Sequence, residues 1–176
     1  MRDDIDAWTN DIHVGDARET LAELPESSVH MVMTSPPYWQ LRDYGDGTVT
    51  VWGGDEDCPH EWTVADEVRR GGSNTAENPP DVGGNQHAQD TGIRGDGVAS
   101  HDCQRCGAWR GQFGLEPTRE QYVKNLVTVF REIRRVLRPD GSAWLNLGDT
   151  YKDKQKNLIP HRVAIALQAD GWVVRH

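Results

Sequence analysis

Four consecutive residues, Ser35-Pro36-Pro37-Tyr38, combine hydrogen-bond acceptors with an aromatic ring at the end of an apolar run. Proline has no backbone N–H and keeps the preceding residue extended, so we expect the Ser35 hydroxyl and the Ser35 and Pro36 carbonyls to point outward. Acceptors beside a ring suit an amino group on a flat heterocycle, such as the exocyclic nitrogen of cytosine or adenine. By accepting both its hydrogens, they favour a pyramidal nitrogen whose lone pair can attack an electrophile. A plain turn is the alternative interpretation.

The motif resembles the catalytic motif of the amino-methylating DNA methyltransferases, and Gln40-Leu41-Arg42-Asp43-Tyr44-Gly45 continues a pattern similar to one subgroup of them. The resemblance implies methyl transfer from S-adenosylmethionine to cytosine N4 or adenine N6 of a base flipped out of double-stranded DNA. It also implies that Ser35 and the Pro36 carbonyl bind the amino group, that Pro37 stiffens the corner, and that Tyr38 stacks on the base. Serine in the first position resembles the cytosine-N4 branch more than the adenine branch.

The same resemblance assigns Asp16, Thr34 and Asp149 to cofactor binding. From spacing alone, Asp16 is more simply a helix cap, and Asp149, like Asn146, is a turn or cap residue at the carboxyl end of a strand. Arg42 contacts a phosphate of the flipped nucleotide or pairs with Asp43, and the sequence favours neither.

All three cysteines lie between residues 58 and 106. Cys103-x-x-Cys106 has the spacing of a zinc knuckle, and Cys58 and His60 could supply two further ligands of a tetrahedral structural site. The resemblance to the subgroup supports this ligand set. His101 is a rival fourth ligand, and a redox-active thiol pair or unrelated thiols are the other interpretations.

Several elements must position these residues. Residues Ile12–Val14 predict a short strand. Asp16 and Glu19 form a capping box that opens a predicted helix over 17–24. Residues Val29–Thr34 predict a strand that is buried on both faces. Together they form a βαβ unit, which predicts a parallel sheet. Open sheets of this kind hold their active sites at the carboxyl ends of the strands, where Ser35 lies.

Regular structure returns after residue 116. Thr118 and Gln121 form a capping box for a helix that ends at Pro139-Asp140-Gly141. A buried strand over 142–147, a basic loop over 152–156, a helix around 159–167 and a last strand over 172–174 follow. The apolar stripe of the first helix consists of Tyr122, Leu126, Val129, Phe130, Ile133 and Leu137.

These patterns predict an α/β protein with a Rossmann-like methyltransferase fold, an incomplete parallel sheet and a zinc-ribbon-like insertion. Residues 1–45 hold the first part of the catalytic domain, 46–116 the insertion, and 117–176 the continuation. Residues 69–100 are rich in Gly, Asn, Asp and Gln, a composition typical of a mobile loop.

The net charge of −9 is unevenly distributed. Residues 1–116 hold 8 Lys and Arg against 22 Asp and Glu, whereas residues 117–176 hold 11 against 6. Arg outnumbers Lys by 15 to 4. An acidic surface with few lysines suggests a protein adapted to high salt. The alternative is that the acidic residues only keep the protein soluble. Without an apolar run of about 18 residues or a signal peptide, we expect a cytoplasmic protein with no membrane partner.

The glycine-rich Phe-x-Gly-x-Gly loop that cradles the cofactor in this family has no counterpart here. We therefore expect a truncated gene product, a split protein that needs a partner chain carrying this loop, or a fragment. Adenine-N6 methylation, a related activity on RNA or a protein amide, and a non-catalytic DNA-binding remnant are the alternatives.

Overall fold

The computed structural model describes residues 3–63, 101–152 and 154–175. These ranges contain four helices, seven strands and one 3-10 turn. In chain order they are α1 (Asp3–Asp6), α2 (Ala17–Ala22), β1 (Val29–Thr34), the 3-10 turn (Asp46–Thr48), β2 (Val49–Trp52), β3 (His101–Asp102), β4 (Trp109–Gln112), α3 (Arg119–Val136), β5 (Leu137–Leu145), β6 (Tyr151–Lys152), β7 (Gln155–Lys156) and α4 (Ile159–Ala169). No helix in this part of the chain is long and apolar enough to cross a bilayer.

The central sheet is a parallel pair of β1 and β5. Its register aligns Thr34 with Leu145 and Val32 with Ala143, and is interrupted after Val29, which pairs with Leu137. Asn146 continues the pairing by donating its backbone N–H to the Thr34 carbonyl at 2.9 Å. The predicted parallel pairing is therefore present, and the residues after β1 adjoin those after β5.

Helix α3 covers one face of this sheet. Its predicted stripe is confirmed, since Tyr122, Leu126, Phe130 and Ile133 are buried with α4 residues in one cluster. Thr118 caps it as expected by accepting a hydrogen bond from the Gln121 backbone N–H at 3.2 Å. The helix ends at Val136, three residues before Pro139, because Leu137 is already extended and paired with β1.

The other face of the sheet is exposed, so the prediction of strands buried on both faces is wrong. Met31 and Met33 are 54% and 74% exposed, and Trp144 on β5 is 54% exposed. The reason is the small number of layers: α2, α3 and α4 cover one side only within the described residues. The exposed face of Met31, Met33 and Trp144 is called the open face below.

Two short predicted strands are also wrong. Ile12 and Val14 are 87% and 96% exposed and unpaired, so the predicted βαβ unit at the N-terminus is absent from the described residues. Residues 172–174 form no strand either, although Trp172 packs edge-on against Phe130. A strand requires a neighbouring strand to pair with, and neither segment pairs with β1 or β5. Helix α2 is present, but it ends at Ala22 rather than at residue 24.

The insertion contains a separate antiparallel sheet in the order β2-β4-β3. Trp52 of β2 lies opposite Trp109 of β4, and both side chains are buried. A hairpin of β6 and β7 occupies the predicted basic loop. The predicted mobile loop over 69–100 lies outside the described residues.

Candidate active site and metal cluster

The Ser35–Tyr38 corner begins directly after β1. Ser35 is exposed, and within the described residues neither its hydroxyl nor the Pro36 carbonyl has a hydrogen-bond partner. By contrast, the Pro37 carbonyl accepts a hydrogen bond from the Tyr122 hydroxyl at 2.9 Å. The corner therefore presents two adjacent acceptors to solvent and fixes the third to α3.

The ring of Tyr38 lies against the backbone of Gly148. A Cβ atom at position 148 would lie 2.7 Å from Cε2 of the Tyr38 ring, so only glycine leaves room for it there. This contact places Tyr38 across the two strand ends that adjoin through Thr34 and Asn146. As the sequence predicts, the motif and the residues after β5 lie at the same edge of the sheet.

A cavity of about 240 Å³ lies beside the next residue, Trp39. Its wall includes the positively charged residues Arg119 and Lys152 and the negatively charged residue Glu120. Tyr38 is not part of that wall. The accessible space next to the motif is therefore bordered by Trp39 and the start of α3.

The three predicted cofactor residues are positioned by their own chain. Asp16 caps α2 and accepts hydrogen bonds from the Arg18 backbone and guanidinium, which together outweigh the effect of burial and lower its pKa. Asp149 caps α4 by accepting from the backbone N–H groups of Leu158 and Ile159, both at 3.1 Å. The Thr34 carbonyl pairs with Asn146. Both carboxylates thus have structural partners.

Arg18 extends the Asp16 cap toward the insertion. Its guanidinium donates to the Val51 carbonyl at 3.0 Å and lies over the Trp52 ring, 3.9 Å from the ring centroid. Such a cation–π contact contributes about 0.5–2 kcal/mol. Asp16 therefore helps to join α2 to β2.

Arg42 has no ion pair in the described part of the chain. The alternative of a pair with Asp43 is not observed, and the Asp43 carboxylate instead accepts the Gly45 N–H at 2.8 Å. The Arg42 side chain is exposed, while its carbonyl accepts from Gln112. The guanidinium is therefore accessible to a ligand such as a phosphate.

The four predicted metal ligands come together. The ligand atoms of Cys58, His60, Cys103 and Cys106 all lie within 4.8 Å of one another. The sulfurs of Cys58 and Cys103 are 3.9 Å apart, and the Cys106 sulfur is 3.4 Å from Nδ1 of His60. Two sulfurs each about 2.3 Å from a tetrahedral ion would be about 3.8 Å apart. The cluster therefore has the size and donor set that zinc requires. The side chain of His101 lies outside the described residues.

A tight turn shapes this cluster. Gly107 adopts a positive φ of 70° and donates its N–H to the Cys103 carbonyl, while the Arg105 N–H points at the Cys103 sulfur at 3.4 Å. Burial raises the pKa of the Cys103 thiol, but the backbone N–H groups of Cys106 and Arg105 and the side chain of His60 outweigh it and lower the pKa to about 6. A thiolate, the form that binds metal, is favoured there.

Comparison with known protein families shows the family to which the chain belongs. The family model described as DNA methylase (N6_N4_Mtase) matches residues 29–176. The chain belongs to this DNA methylase family. The matched region starts at β1 and includes both the Ser35–Tyr38 corner and the four residues of the metal cluster.

Curated relatives of this chain are named as type II methyltransferases. The chain is 32% identical over 182 residues to M.SfiI of Streptomyces fimbriatus, a match that covers 94% of the chain and 28% of that protein. It is 30% identical to M.SmaI of Serratia marcescens over 93% of the chain and 44% of that protein. The chain thus spans less than half the length of these relatives. No solved structure matches it.

Sequence reasoning missed the residues that support the Ser35–Tyr38 corner. Tyr122 was expected only as part of an apolar stripe, and Gln112, Glu116 and Asn125 were not singled out. Gln112 and Glu116 at the end of the insertion and Asn125 on α3 are buried polar residues. Gln112 accepts a hydrogen bond from the Tyr44 N–H, 68 positions away, and Glu116 accepts one from Asn125 on α3. No local sequence pattern indicates such contacts.

Proposed function

We propose that this chain is the catalytic part of an S-adenosylmethionine-dependent methyltransferase that modifies N4 of cytosine in double-stranded DNA. The observation that supports the proposal best is the pair of acceptors without a partner in the described residues, Ser35 Oγ on an exposed residue and the carbonyl of the half-buried Pro36, which precede Tyr38 in the chain. Membership of the DNA methylase family and the names of the relatives agree with it.

In this proposal the acceptors activate the amino group. Ser35 and the Pro36 carbonyl each accept one hydrogen of the flipped base, which concentrates the lone pair on the nitrogen, while Tyr38 stacks on the ring. The bound cofactor supplies an electrophilic methyl group on a positively charged sulfur. The nitrogen would accept that methyl group, leaving the sulfur as a neutral thioether, and would release one of its hydrogens as a proton to water.

The test is methylation by the variant Ser35→Ala. Losing one acceptor that strengthens only in the transition state should lower the methylation rate by roughly 100-fold or more. Binding to duplex DNA should remain, because phosphate contacts provide most of that affinity. Unchanged methylation would refute the assignment of Ser35. Nucleoside analysis of DNA from expressing cells separates N4-methylcytosine from N6-methyladenine, the alternative product.

We also propose that Cys58, His60, Cys103 and Cys106 bind one structural zinc ion. Four protein ligands leave no open position for a substrate, so the ion would stabilise the insertion rather than take part in the reaction. Metal analysis of the purified chain should find one equivalent of zinc. The variant His60→Ala should lose most of it and His101→Ala should not. A zinc content well below one equivalent in the wild type would refute the proposal.

Finally, we propose that the chain works with a complementary polypeptide carrying a glycine-rich cofactor loop. Support comes from the open face and from the carboxylates of Asp16 and Asp149 that already serve as caps. The chain alone should therefore bind S-adenosylmethionine negligibly in a calorimetric titration. Micromolar affinity would refute this. A chain that binds DNA without methylating it, alone or with its partner, would instead be a DNA-binding remnant.

A further inference from the structure

The residues that follow the acceptor pair are attached to a distant part of the chain. The Pro37 carbonyl accepts from the Tyr122 hydroxyl, and the Gln40 N–H donates to the Gly114 carbonyl at 2.7 Å. Gln40 also adopts a positive φ of 57°, which is uncommon for a residue with a side chain. Such a conformation persists only where surrounding contacts maintain it. The shape of the corner therefore depends on residues 112–122.

Glu116 lies at the centre of these contacts and is fully buried. Its backbone carbonyl accepts hydrogen bonds from the two residues that follow the corner, from Trp39 Nε1 at 3.0 Å and from Gln40 Nε2 at 2.9 Å. Its carboxyl group accepts from the Gly114 N–H at 2.9 Å and from Asn125 Nδ2 at 3.1 Å. One residue thus connects the corner, the end of the insertion and α3.

Tyr122 forms the second connection. Its ring stacks on Phe113 at 5.2 Å between centroids, and Phe113 stacks on Trp52 of β2 at 5.0 Å. The hydroxyl that holds Pro37 is therefore fixed from both α3 and the sheet of the insertion. Because the Pro36 carbonyl precedes Pro37 directly, a shift of Pro37 would move the second acceptor of the proposed active site.

We propose that Glu116 and Tyr122 are positioning residues that hold the Ser35–Tyr38 corner in the geometry needed for methyl transfer. The inference rests on the proposed function for its catalytic consequence, but not for its structural one. Neither residue touches the proposed substrate directly. They act through Pro37, Trp39 and Gln40.

The protonation state of Glu116 is part of this arrangement. Burial raises its pKa to about 7, and both groups that donate to its carboxyl, Gly114 N–H and the Asn125 amide, are uncharged. The titratable groups that face this region are the hydroxyls of Tyr122 and Tyr38, and burial raises the pKa of Tyr122 further above its usual range. Ionisation would therefore place an unpaired negative charge under the corner, and the neutral carboxyl is the form that fits.

Hydrogen exchange over residues 38–44 of the full chain tests the positioning role without requiring activity. In Glu116→Ala, exchange of this segment should accelerate at least tenfold at pH 6, whereas Glu116→Gln, which imitates the neutral acid, should keep the wild-type rate. Above pH 7 the wild type should lose protection beyond the intrinsic effect of pH, and Glu116→Gln should not. Glu132→Gln is the control, because Glu132 pairs with Arg135 away from the corner.

The catalytic consequence is tested with Tyr122→Phe, which removes one hydrogen bond and keeps the ring. In the presence of the complementary polypeptide, we expect kcat for methyl transfer to fall about five- to tenfold with little change in KM for DNA, and Tyr151→Phe to have no effect. Unchanged exchange of residues 38–44 in Glu116→Ala, or the same pH dependence in Glu116→Gln and the wild type, would overturn the positioning role. A protein that shows the exchange effects but never methylates DNA would refute the proposed function alone.

Discussion

Tyr38 illustrates how a single glycine determines the position of a site residue. Its ring occupies the space where a side chain at position 148 would be, 2.7 Å from the nearest ring atom. The position of the ring is therefore set by the backbone after β5, not by the motif itself. Gly148 has no side chain, but it determines the position of the Tyr38 ring, which is proposed to stack on the base.

We predict that Gly148→Ala destabilises the protein by about 1–3 kcal/mol, because the new methyl group displaces the Tyr38 ring. The matched control is Gly47→Ala, where nothing lies within 4 Å of the added atom. Urea unfolding measures both changes. In the background of Tyr38→Ala the penalty of Gly148→Ala should disappear, and a penalty that stays the same would show that the ring is not its cause.

Glu116 makes the second prediction at the residue scale. Its pKa is raised by burial from 4.5 to about 7, so the folded chain holds the proton more tightly than the unfolded chain. The resulting stabilisation is fully present below pH 4.5 and is lost as the pH rises through 7. Between pH 5 and pH 8 we expect Glu116→Gln to gain roughly 2–3 kcal/mol of stability relative to the wild type.

The control for this pH dependence is Glu132→Gln. The pKa values of Asp16, Asp140 and Asp170 are lowered, so their contributions are lost only as the pH falls toward and below 4 and do not overlap this window. Denaturant unfolding at the two pH values measures the difference. A constant difference between Glu116→Gln and the wild type would contradict the raised pKa.

Among the elements, those specified by local contacts were predictable from sequence. The stripe of α3, the Thr118 cap and α4 depend on neighbours three or four positions away, and each is present. The strands at 12–14 and 172–174 depend on a partner ladder, which periodicity cannot supply, and they did not form. The same distinction separates the Ser35–Tyr38 motif, visible as a sequence pattern, from Glu116, whose role exists only in three dimensions.

The metal cluster was predictable because its ligands follow a known spacing, but the way the sheet supports it was not. Gly54, just after β2, adopts a φ of +82°, and a Cβ there would lie 2.5 Å from Ala108 Cβ and 2.8 Å from the Cys106 sulfur. The insertion sheet and the cluster therefore meet at a glycine. A side chain at position 54 would push the thiolate out of place.

We predict that Gly54→Ala weakens metal binding roughly 10- to 100-fold, as the loss of a supporting contact around a metal site commonly does. Gly53→Ala is a close control, since Gly53 also has a positive φ of +67° but nothing lies within 4 Å of the added atom. Both variants share the backbone strain, and only Gly54→Ala meets the sulfur. Competition with a zinc chelator measures the affinities, and equal losses in the two variants would attribute the effect to strain alone.

On the scale of the whole molecule, charge is the dominant feature. The sequence carries 28 Asp and Glu against 19 Lys and Arg, and most of the excess lies in residues 1–116. Part of the positive charge of α3 is used internally, because Arg131 and Arg134 both pair with Asp170 after α4. The acidic excess elsewhere repels itself, and this repulsion destabilises the compact state at low ionic strength.

We therefore predict that the zinc-loaded chain becomes more stable as KCl rises from 0.1 M to 1 M, where the screening length falls from about 10 Å to about 3 Å. A gain of about 1 kcal/mol corresponds to a rise in Tm of about 2–4 °C for a chain of this size. Chloride is preferred to sulfate, because sulfate strengthens apolar burial in any protein. Salt also weakens the ion pairs of Asp170, so the sign of the change reveals whether repulsion or pairing dominates. A Tm that stays constant or falls would mean that the acidic surface serves ordinary solubility and gives the fold no need for salt.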